Sequence, residues 1–491
     1  MSTSPVSLVD RLNAWLRNSI TIKLLSIGFL LLLLLIPSTM VESLITERAE
    51  NRDAATREIS GKWGGPQLVL GPVLALPYTA RSQDEKGRPQ RTTEYLCFLP
   101  DSLATTGQLE PERRHRGIYE AVVYRARLRV RGVFQTASLA DLDLDPADIH
   151  WAEAFVALGI SDLKGIRNSL RLSWDGQPRG FEPGVPSPQL LPVGTPPGVA
   201  SDETAVRNER QRYSKFQGTD EVPAEDGSNN SGLSAPVPVP NAAALVGRHT
   251  FSFELDLNGS TGLLLAPLGR QTTARLAAPW PDPSFIGAFL PAQRQVTAQQ
   301  FTADWRVLHL NRNYPQRWRT AAFQPNVNGS TFGVRLLVPV NEYQKTMRAA
   351  KYALLPLTLT FLIFFFVEVL NRRRIHPFQY ILVGLALVIF YVLLLALSEH
   401  MPFNAAYGLA GAAIIGLVTA YAAAVFRQRR LVLITAGVLT LIYGFVFVVI
   451  QLQDYALLIG SLGLLLVLGI VMFLSRRIRW YDSAAPETLS E

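Results

Sequence analysis

A carboxylate stands beside an imidazole where a long apolar segment of the sequence ends, at Ser398-Glu399-His400. Glutamate and histidine side chains can relay protons or assist hydrolysis when their pKa values lie near the working pH. The same residues are typical of a helix that leaves a membrane and meets water, and Pro402 follows closely. No Gly-x-Ser-x-Gly nucleophile motif lies nearby to use them. The position favours a span boundary over a catalytic pair, and Glu399 and His400 are kept as candidates.

A second acidic candidate, Glu368, lies inside another apolar segment. A carboxylate at the middle of a membrane would indicate a transport or proton-relay site. Arg372 follows four residues later, within reach on one face of a helix. The sequence therefore favours an ion-paired carboxylate near the membrane boundary over a transport site.

Four arginines alternate with apolar residues in one short stretch, at positions 125, 127, 129 and 131. Strict alternation predicts a strand with one buried face and one wet face. The arginines could bind acidic material such as phospholipid headgroups or carboxylates. A solvated face with Asp141, Asp143 and Asp145 as counter-charges is the simpler interpretation.

The one cysteine, Cys97, excludes an internal disulfide framework and is predicted to be a buried small hydrophobe. The six histidines have no metal-ligand spacing, so neither a metal nor a cofactor is expected.

The elements that carry these residues are membrane spans and a β-rich domain. The 491 residues are 48% hydrophobic and only 18% charged, whereas soluble proteins are nearer about 25% charged. A helix of about 20 apolar residues crosses a bilayer core of about 30 Å. The first such segment could be a cleaved signal peptide, but it lacks a small-x-small cleavage site, which favours a retained anchor. The six predicted spans are Ile20–Val41, Tyr352–Leu370, Phe378–Leu397, Ala405–Phe426, Leu431–Ile450 and Tyr455–Leu474.

The distribution of basic residues predicts the orientation of the spans. Lysine and arginine cluster after the second, fourth and sixth spans, and the alternate loops 398–404 and 451–454 contain none. Because basic loops stay in the cytoplasm, both termini are predicted to be cytoplasmic and the large domain exported. Lys345, Arg348 and Lys351 conflict with this orientation but are outnumbered. The net charge of +8 is thus explained by topology, and nucleic acid is not an expected partner.

The exported region is predicted to be mainly β, with two hairpins. Phe251–Leu257 alternates cleanly and is followed by Asn258-Gly259, which indicates a tight hairpin turn. The tetrad Asn-Gly-Ser-Thr recurs at 328–331 and predicts a second hairpin. Between about 175 and 245, Gly, Pro, Ser and charged residues predict a flexible insertion. The predicted organisation is 1–19 cytoplasmic, 20–41 first span, 42–351 exported β-rich domain, 352–474 five-span bundle and 475–491 cytoplasmic tail.

Several stretches in conserved order resemble the CreD family of bacterial inner-membrane proteins linked to cell-envelope integrity. They are Ile36-Pro37 with Ile45–Arg48, Gly65–Leu68 with Gly71-Pro72, Trp280–Pro291, and Arg374–Leu387 continuing through Ser398–His400 to Asn404. The resemblance implies a role in maintaining the envelope, in a family typically under two-component control during stress. It implies no established catalytic residues.

Together these observations predict a non-enzymatic inner-membrane protein that maintains envelope integrity through contacts of its exported domain. Its expected partners are the lipid bilayer and envelope proteins or acidic envelope components. The alternative is a transporter or lipid-handling protein that uses the helix bundle. That alternative is weakened because the spans carry almost no charge and show no paired broken helices. A membrane-bound hydrolase ranks third, because no motif supports it.

Overall fold

The computed structural model describes residues 20–83, 88–136, 144–191, 232–337, 342–371, 375–452 and 455–476. The chain divides into two compact units. The helical unit consists of residues 1–53 and 340–491, and the sandwich consists of residues 54–339. The first helix contributes residues to both units.

Among the described residues, five helices are long and apolar enough to cross a membrane, and a bent pair provides a sixth candidate. This confirms the predicted class, a multi-pass membrane protein with a β-rich domain between its first and later helices. The α-helices in the described part of the chain are α1 Ile20–Trp63, α2 Ala242–Leu245, α3 Glu342–Lys351, α4 Leu354–Leu370, α5 Pro377–Ser398, α6 Phe403–Phe426, α7 Arg429–Gln451 and α8 Ala456–Ser475.

The predicted second span, Tyr352–Leu370, corresponds to α4 and follows a break after α3. The 17 residues of α4 cover about 25 Å, less than the bilayer core of about 30 Å. α3 precedes α4 at a bend of 41°. The bent pair of α3 and α4 is therefore the sixth candidate span, and α4 supplies its apolar part.

One face of α1 packs into the helical unit. Gly384 of α5 permits this contact, because a Cβ atom there would overlap the Leu34 side chain and press on the Phe361 ring. Small residues allow such close approach between membrane helices. The buried residues of α1 recur every three, four or seven positions and form one stripe: Ile27, Leu30, Leu34, Val41 and Ile45.

The sandwich consists of two sheets that share one apolar core. The first sheet has the order β13-β17-β11-β1-β5-β9-β8, with β2 paired to β1 and β16 paired to β2. The second sheet has the order β14-β15-β12-β3-β4-β10-β6-β7. The strands are β1 Gln67–Gln83, β2 Pro89–Phe98, β3 Ser102–Arg116, β4 Tyr119–Thr136, β5 Phe155–Ile160, β6 Arg171–Trp174, β7 Gln177–Gly180, β8 Glu182–Pro183, β9 Gly232–Pro236, β10 Gly247–Ser260, β11 Gly262–Leu265, β12 Gln271–Ala278, β13 Pro283–Gly287, β14 Gln293–Val296, β15 Phe301–Leu308, β16 Arg317–Arg319 and β17 Phe332–Leu336.

The alternation along β4 places its apolar side chains in the core and its arginines on the outer face, as predicted. Tyr124 is fully buried, and its hydroxyl donates a hydrogen bond of 2.8 Å to the carbonyl oxygen of Gly262. Burial raises the pKa of this phenol. Cys97 of β2 is also fully buried, as predicted, and burial raises the pKa of its thiol.

The predicted Asn-Gly hairpin is wrong. Asn258 and Gly259 lie within β10, which continues along β4 to Ser260. The chain turns at Thr261, whose φ is +60°, and enters β11 of the first sheet. The Asn258 carbonyl accepts a hydrogen bond of 2.9 Å from Gln67, and a Cβ atom on Gly259 would overlap the Tyr124 ring. These two residues therefore serve close packing, and the turn comes later.

The second predicted hairpin is also wrong, because residues 328–330 form a 3-10 turn before β17. β17 pairs with β11 and β13, neither of which directly precedes it in the chain. The tetrad thus introduces a central strand whose partners are distant in sequence.

The predicted insertion was too wide. Asp175 and Gly176 have φ values of +48° and +81° and form the two-residue turn of the β6–β7 hairpin. At the other end, β9 pairs with β5 and β8, and Leu233 and Ala235 are buried. The structure therefore reduces the candidate insertion to residues 192–231, which lie outside the described residues.

Candidate functional site

Glu368 is buried in the helical unit, with only 4% of its side chain exposed. Its Oε1 atom lies 2.8 Å from Nζ of Lys23 on α1. Its Oε2 atom accepts a hydrogen bond of 3.0 Å from the hydroxyl of Tyr380 on α5. A buried carboxylate needs such partners to offset its lost hydration. The partner predicted from the sequence, Arg372, lies outside the described residues, and Lys23 is too distant in sequence for local spacing to indicate it.

Glu399 caps the C-terminal end of α5, and 12% of its side chain is exposed. Its Oε1 atom accepts a hydrogen bond of 3.3 Å from the Tyr343 hydroxyl of α3 and lies 4.0 Å from Nε of Arg48 on α1. His400 is exposed, and no described residue forms a hydrogen bond with its imidazole ring. The structure thus connects Glu399 to two other helices and leaves its neighbour aside.

The two acidic candidates contact α1 at two positions that are far apart along this helix. Lys23 and Arg48 are 25 residues apart (48 − 23), or about 37 Å along α1 at 1.5 Å per residue. This length slightly exceeds the bilayer core of about 30 Å. Lys23–Glu368 and Arg48–Glu399 therefore connect α1 to the bundle at two positions separated by more than the thickness of a bilayer core. They form no common reaction centre.

Most of the arginine stripe of β4, which consists of Arg125, Arg127, Arg129 and Arg131, contacts acidic or aromatic side chains. Arg127 lies 3.2 Å from Glu110 of β3, and Arg129 lies 2.7 Å from Glu254 of β10. Arg125 lies over the Trp63 ring, 5.8 Å from its centroid. Arg131 has no ion-pair or ring partner among the described residues.

The two counter-charges that the structure shows for the stripe, Glu110 and Glu254, were not predicted from the sequence. They come from adjacent strands, whereas Asp145 accepts a hydrogen bond of 2.9 Å from the backbone of Ala147 in a 3-10 turn. Asp141 and Asp143 lie outside the described residues. Within the described ranges, no three His, Cys, Asp or Glu side chains are grouped to hold a metal ion.

A groove of about 910 Å³ lies between α6 and α7, and sequence analysis missed it. Tyr443 lines the groove, and its hydroxyl has no hydrogen-bond partner in the described part of the chain. The only signal in the sequence was a small residue at every fourth position of α6, where larger side chains would fill the space. These small residues are Gly408, Ala412, Gly416 and Ala420.

Comparison with known proteins covers nearly the whole chain. Residues 19–481 match the family described as Inner membrane protein CreD. The Inner membrane protein CreD of Escherichia coli (strain K12) is 31% identical over 478 residues, which cover 96% of this chain and 96% of that protein. Both matches include the helices and the sandwich.

Proposed function

This chain belongs to the CreD family of inner membrane proteins, and on that premise we propose that it maintains the integrity of the bacterial cell envelope without catalysing a reaction. The sandwich is the working part in this proposal. It lies on the outer side of the membrane, carried by α1 and the helical unit, and both chain termini lie in the cytoplasm.

The observation that carries this proposal is the outer face of the second sheet. β4 presents Arg125, Arg127, Arg129 and Arg131 on that face. The phosphates and carboxylates of the envelope are anionic, and exposed cations attract anions over several ångströms. Glu110 and Glu254 offset the charge of Arg127 and Arg129, and an anionic partner would compete with these surface ion pairs for the two arginines. The proposed partners are therefore acidic envelope components or envelope proteins with acidic surfaces, in addition to the bilayer.

The charge of the loops supports the proposed orientation. Arg427, Arg429 and Arg430 lie where α6 passes into α7, whereas residues 399–404 between α5 and α6 contain no lysine or arginine. Loops rich in lysine and arginine stay in the cytoplasm. Because successive spans alternate in direction, the end of α1 that leads into the sandwich then lies outside.

A lipid-handling protein is the second candidate, and the groove between α6 and α7 favours it. The groove is lined mainly by glycine, alanine and other small or apolar side chains, which suit an acyl chain. A leucine at Gly416 would fill part of it, because no heavy atom lies within 4 Å of a Cβ atom built there.

The test is rescue of a strain that lacks this protein and has become sensitive to detergents and wall-active compounds. The variant Arg127→Gln/Arg129→Gln should fail to rescue at normal abundance, because it removes two cations and only surface ion pairs of small stability. The matched control Arg81→Gln/Arg91→Gln removes two cations from the other sheet, including the similarly exposed partner of Asp148, and should rescue fully.

Full rescue by Arg127→Gln/Arg129→Gln would contradict the proposal that this face is the contact surface. Loss of rescue by Gly416→Leu, with normal rescue by the arginine variant, would instead establish the lipid-handling candidate.

A further inference from the structure

A shallow pocket of about 380 Å³ lies on the outer face of the second sheet, where β3, β4, β10 and β6 run side by side. Arg131 lines this pocket together with four hydroxyl-bearing residues. Gly132 lets the strands approach closely beneath the pocket, because a Cβ atom there would overlap the Ser102 carbonyl oxygen and the ring of Phe251, which is buried in the core. The hydroxyl-bearing residues are Ser102, Ser173, Thr250 and Ser252.

The strand register explains why Arg131 lacks the partner that its neighbours have. Glu254 stands opposite Arg129, whereas the residues opposite Arg131 are Ala104 on β3 and Ser252 on β10. Ser252 in turn faces Ser173 on β6. No acidic side chain therefore lies in this row between β3 and β6, and the guanidinium keeps its full capacity to donate hydrogen bonds.

The hydroxyl groups of the pocket also keep donors available. Among the described residues, the hydroxyls of Ser102, Ser173 and Ser252 form no hydrogen bond. The fourth hydroxyl, of Thr250, lies 3.2 Å from Oδ1 of Asp175. Three hydroxyl donors and one guanidinium thus line a pocket that contains no acid.

Asp175, the acid that contacts Thr250 of the pocket, is occupied by other groups. Burial acts to raise its pKa, but hydrogen bonds from His249 and Thr250 outweigh burial and lower it. The His249 ring lies 2.7 Å from Oδ2, and the Thr250 amide donates a hydrogen bond of 2.6 Å to Oδ1. This carboxylate fixes the edge of the pocket and takes no donor from Arg131.

We infer that the pocket around Arg131 binds a phosphoryl group. A guanidinium group can donate two parallel hydrogen bonds to the oxygens of one phosphate. A tetrahedral phosphate offers further oxygens to the surrounding hydroxyls, whereas a carboxylate has only two. The volume is at the lower end of small-molecule sites, about 300–1,000 Å³, and suits a headgroup. The choice of a lipid headgroup as the source rests on the proposed function, since free phosphate has the same chemistry.

The test measures binding to the purified full-length protein in a neutral detergent. The probes are inorganic phosphate, dihexanoyl phosphatidic acid, dihexanoyl phosphatidylcholine and acetate. The protein should bind phosphatidic acid more tightly than the other three, and Arg131→Gln should weaken this binding by about tenfold or more, since a charge-assisted contact is lost. Ser252→Ala should weaken it by a smaller factor, and Arg91→Gln, which removes the same charge from the other sheet, should leave it unchanged.

Each outcome decides a separate point. Binding of inorganic phosphate as tight as that of the lipid, still dependent on Arg131, keeps the phosphoryl site and assigns free phosphate as its source. Unchanged binding in Arg131→Gln, or an equal loss in Arg127→Gln/Arg129→Gln, overturns the site. An Arg131→Gln variant that loses phosphate but still rescues the strain keeps the site and contradicts its role in the proposed function.

Discussion

Replacing Lys23 by methionine is expected to destabilise the helical unit by about 3 kcal/mol, because it leaves the Glu368 carboxylate buried without its cation. One hydrogen bond from Tyr380 would remain to the carboxylate. Methionine keeps the length and apolar body of lysine, so the loss should come from charge and not from packing. The free energy of unfolding of the purified full-length protein in detergent measures the effect.

Two further variants separate the ion pair from other causes. The double variant Lys23→Met/Glu368→Leu should recover most of the lost stability, because burying two apolar side chains carries no cost of removing charges from water. Lys62→Met removes a lysine that is 78% exposed and pairs with Glu58 at the surface, and it should cost less than about 1 kcal/mol. A double variant as unstable as Lys23→Met alone would show that Lys23 acts through something other than Glu368.

Replacing residues 180–240 with a short Gly/Ser linker is expected to prevent the sandwich from folding. The replacement removes β8 and β9 and several buried side chains, each of which contributes about 1.5–3 kcal/mol. The total is on the order of 10 kcal/mol, as large as the stability of a typical domain of about 5–15 kcal/mol. The buried side chains lost are Val185, Leu190, Leu191, Leu233, Val237 and Val239.

The matched variant replaces only residues 193–230 and keeps every described strand. It should fold, since halving the length of a loop changes its closure entropy by only about 0.6 kcal/mol. Cys97 reports the difference because it is the only cysteine and is fully buried. A thiol reagent should label it rapidly in the 180–240 variant and slowly in the 193–230 variant. Equally slow labelling in both would show that β9 is dispensable.

Local patterns in the sequence predicted the parts of the fold that depend on neighbouring residues. The alternation of residues 124–130 fixes which side chains of β4 are buried, because successive residues of a strand face opposite sides. The apolar segments similarly predicted the membrane helices. Cys97 was predicted to be buried from its apolar neighbours, and it is.

The turns and the insertion failed because their outcome depends on distant residues. Asn258-Gly259 has the composition of a hairpin turn, but contacts with Gln67 and Tyr124 keep it inside a long strand. β9 contains glycine and proline, and only its pairing with β5 and β8 makes it a strand. The true turn, Asp175-Gly176, was assigned to the start of the insertion although its dipeptide is a hairpin signal.

The candidate residues were found from the sequence, but their partners were not. Glu368 and Glu399 stand out in the sequence because they are charged residues at the edges of apolar segments. Their partners, Lys23 and Arg48, lie on a helix more than 300 residues away in the sequence. The buried stripe of α1 was hidden as well, because nearly every residue of that span is apolar. The unpaired state of Arg131 depends on the strand register and could not be read from the alternation.

The most direct test of the central claim, that the sandwich lies outside the inner membrane, is labelling with a membrane-impermeant maleimide. Two single substitutions suffice, Gln295→Cys on the exposed strand β14 and Gln428→Cys at the start of α7, because native Cys97 is fully buried and out of reach of the reagent. In intact spheroplasts Gln295→Cys should be labelled, and Gln428→Cys should be labelled only after the membrane is opened. The reverse pattern would place the sandwich in the cytoplasm and contradict the proposed role in the envelope.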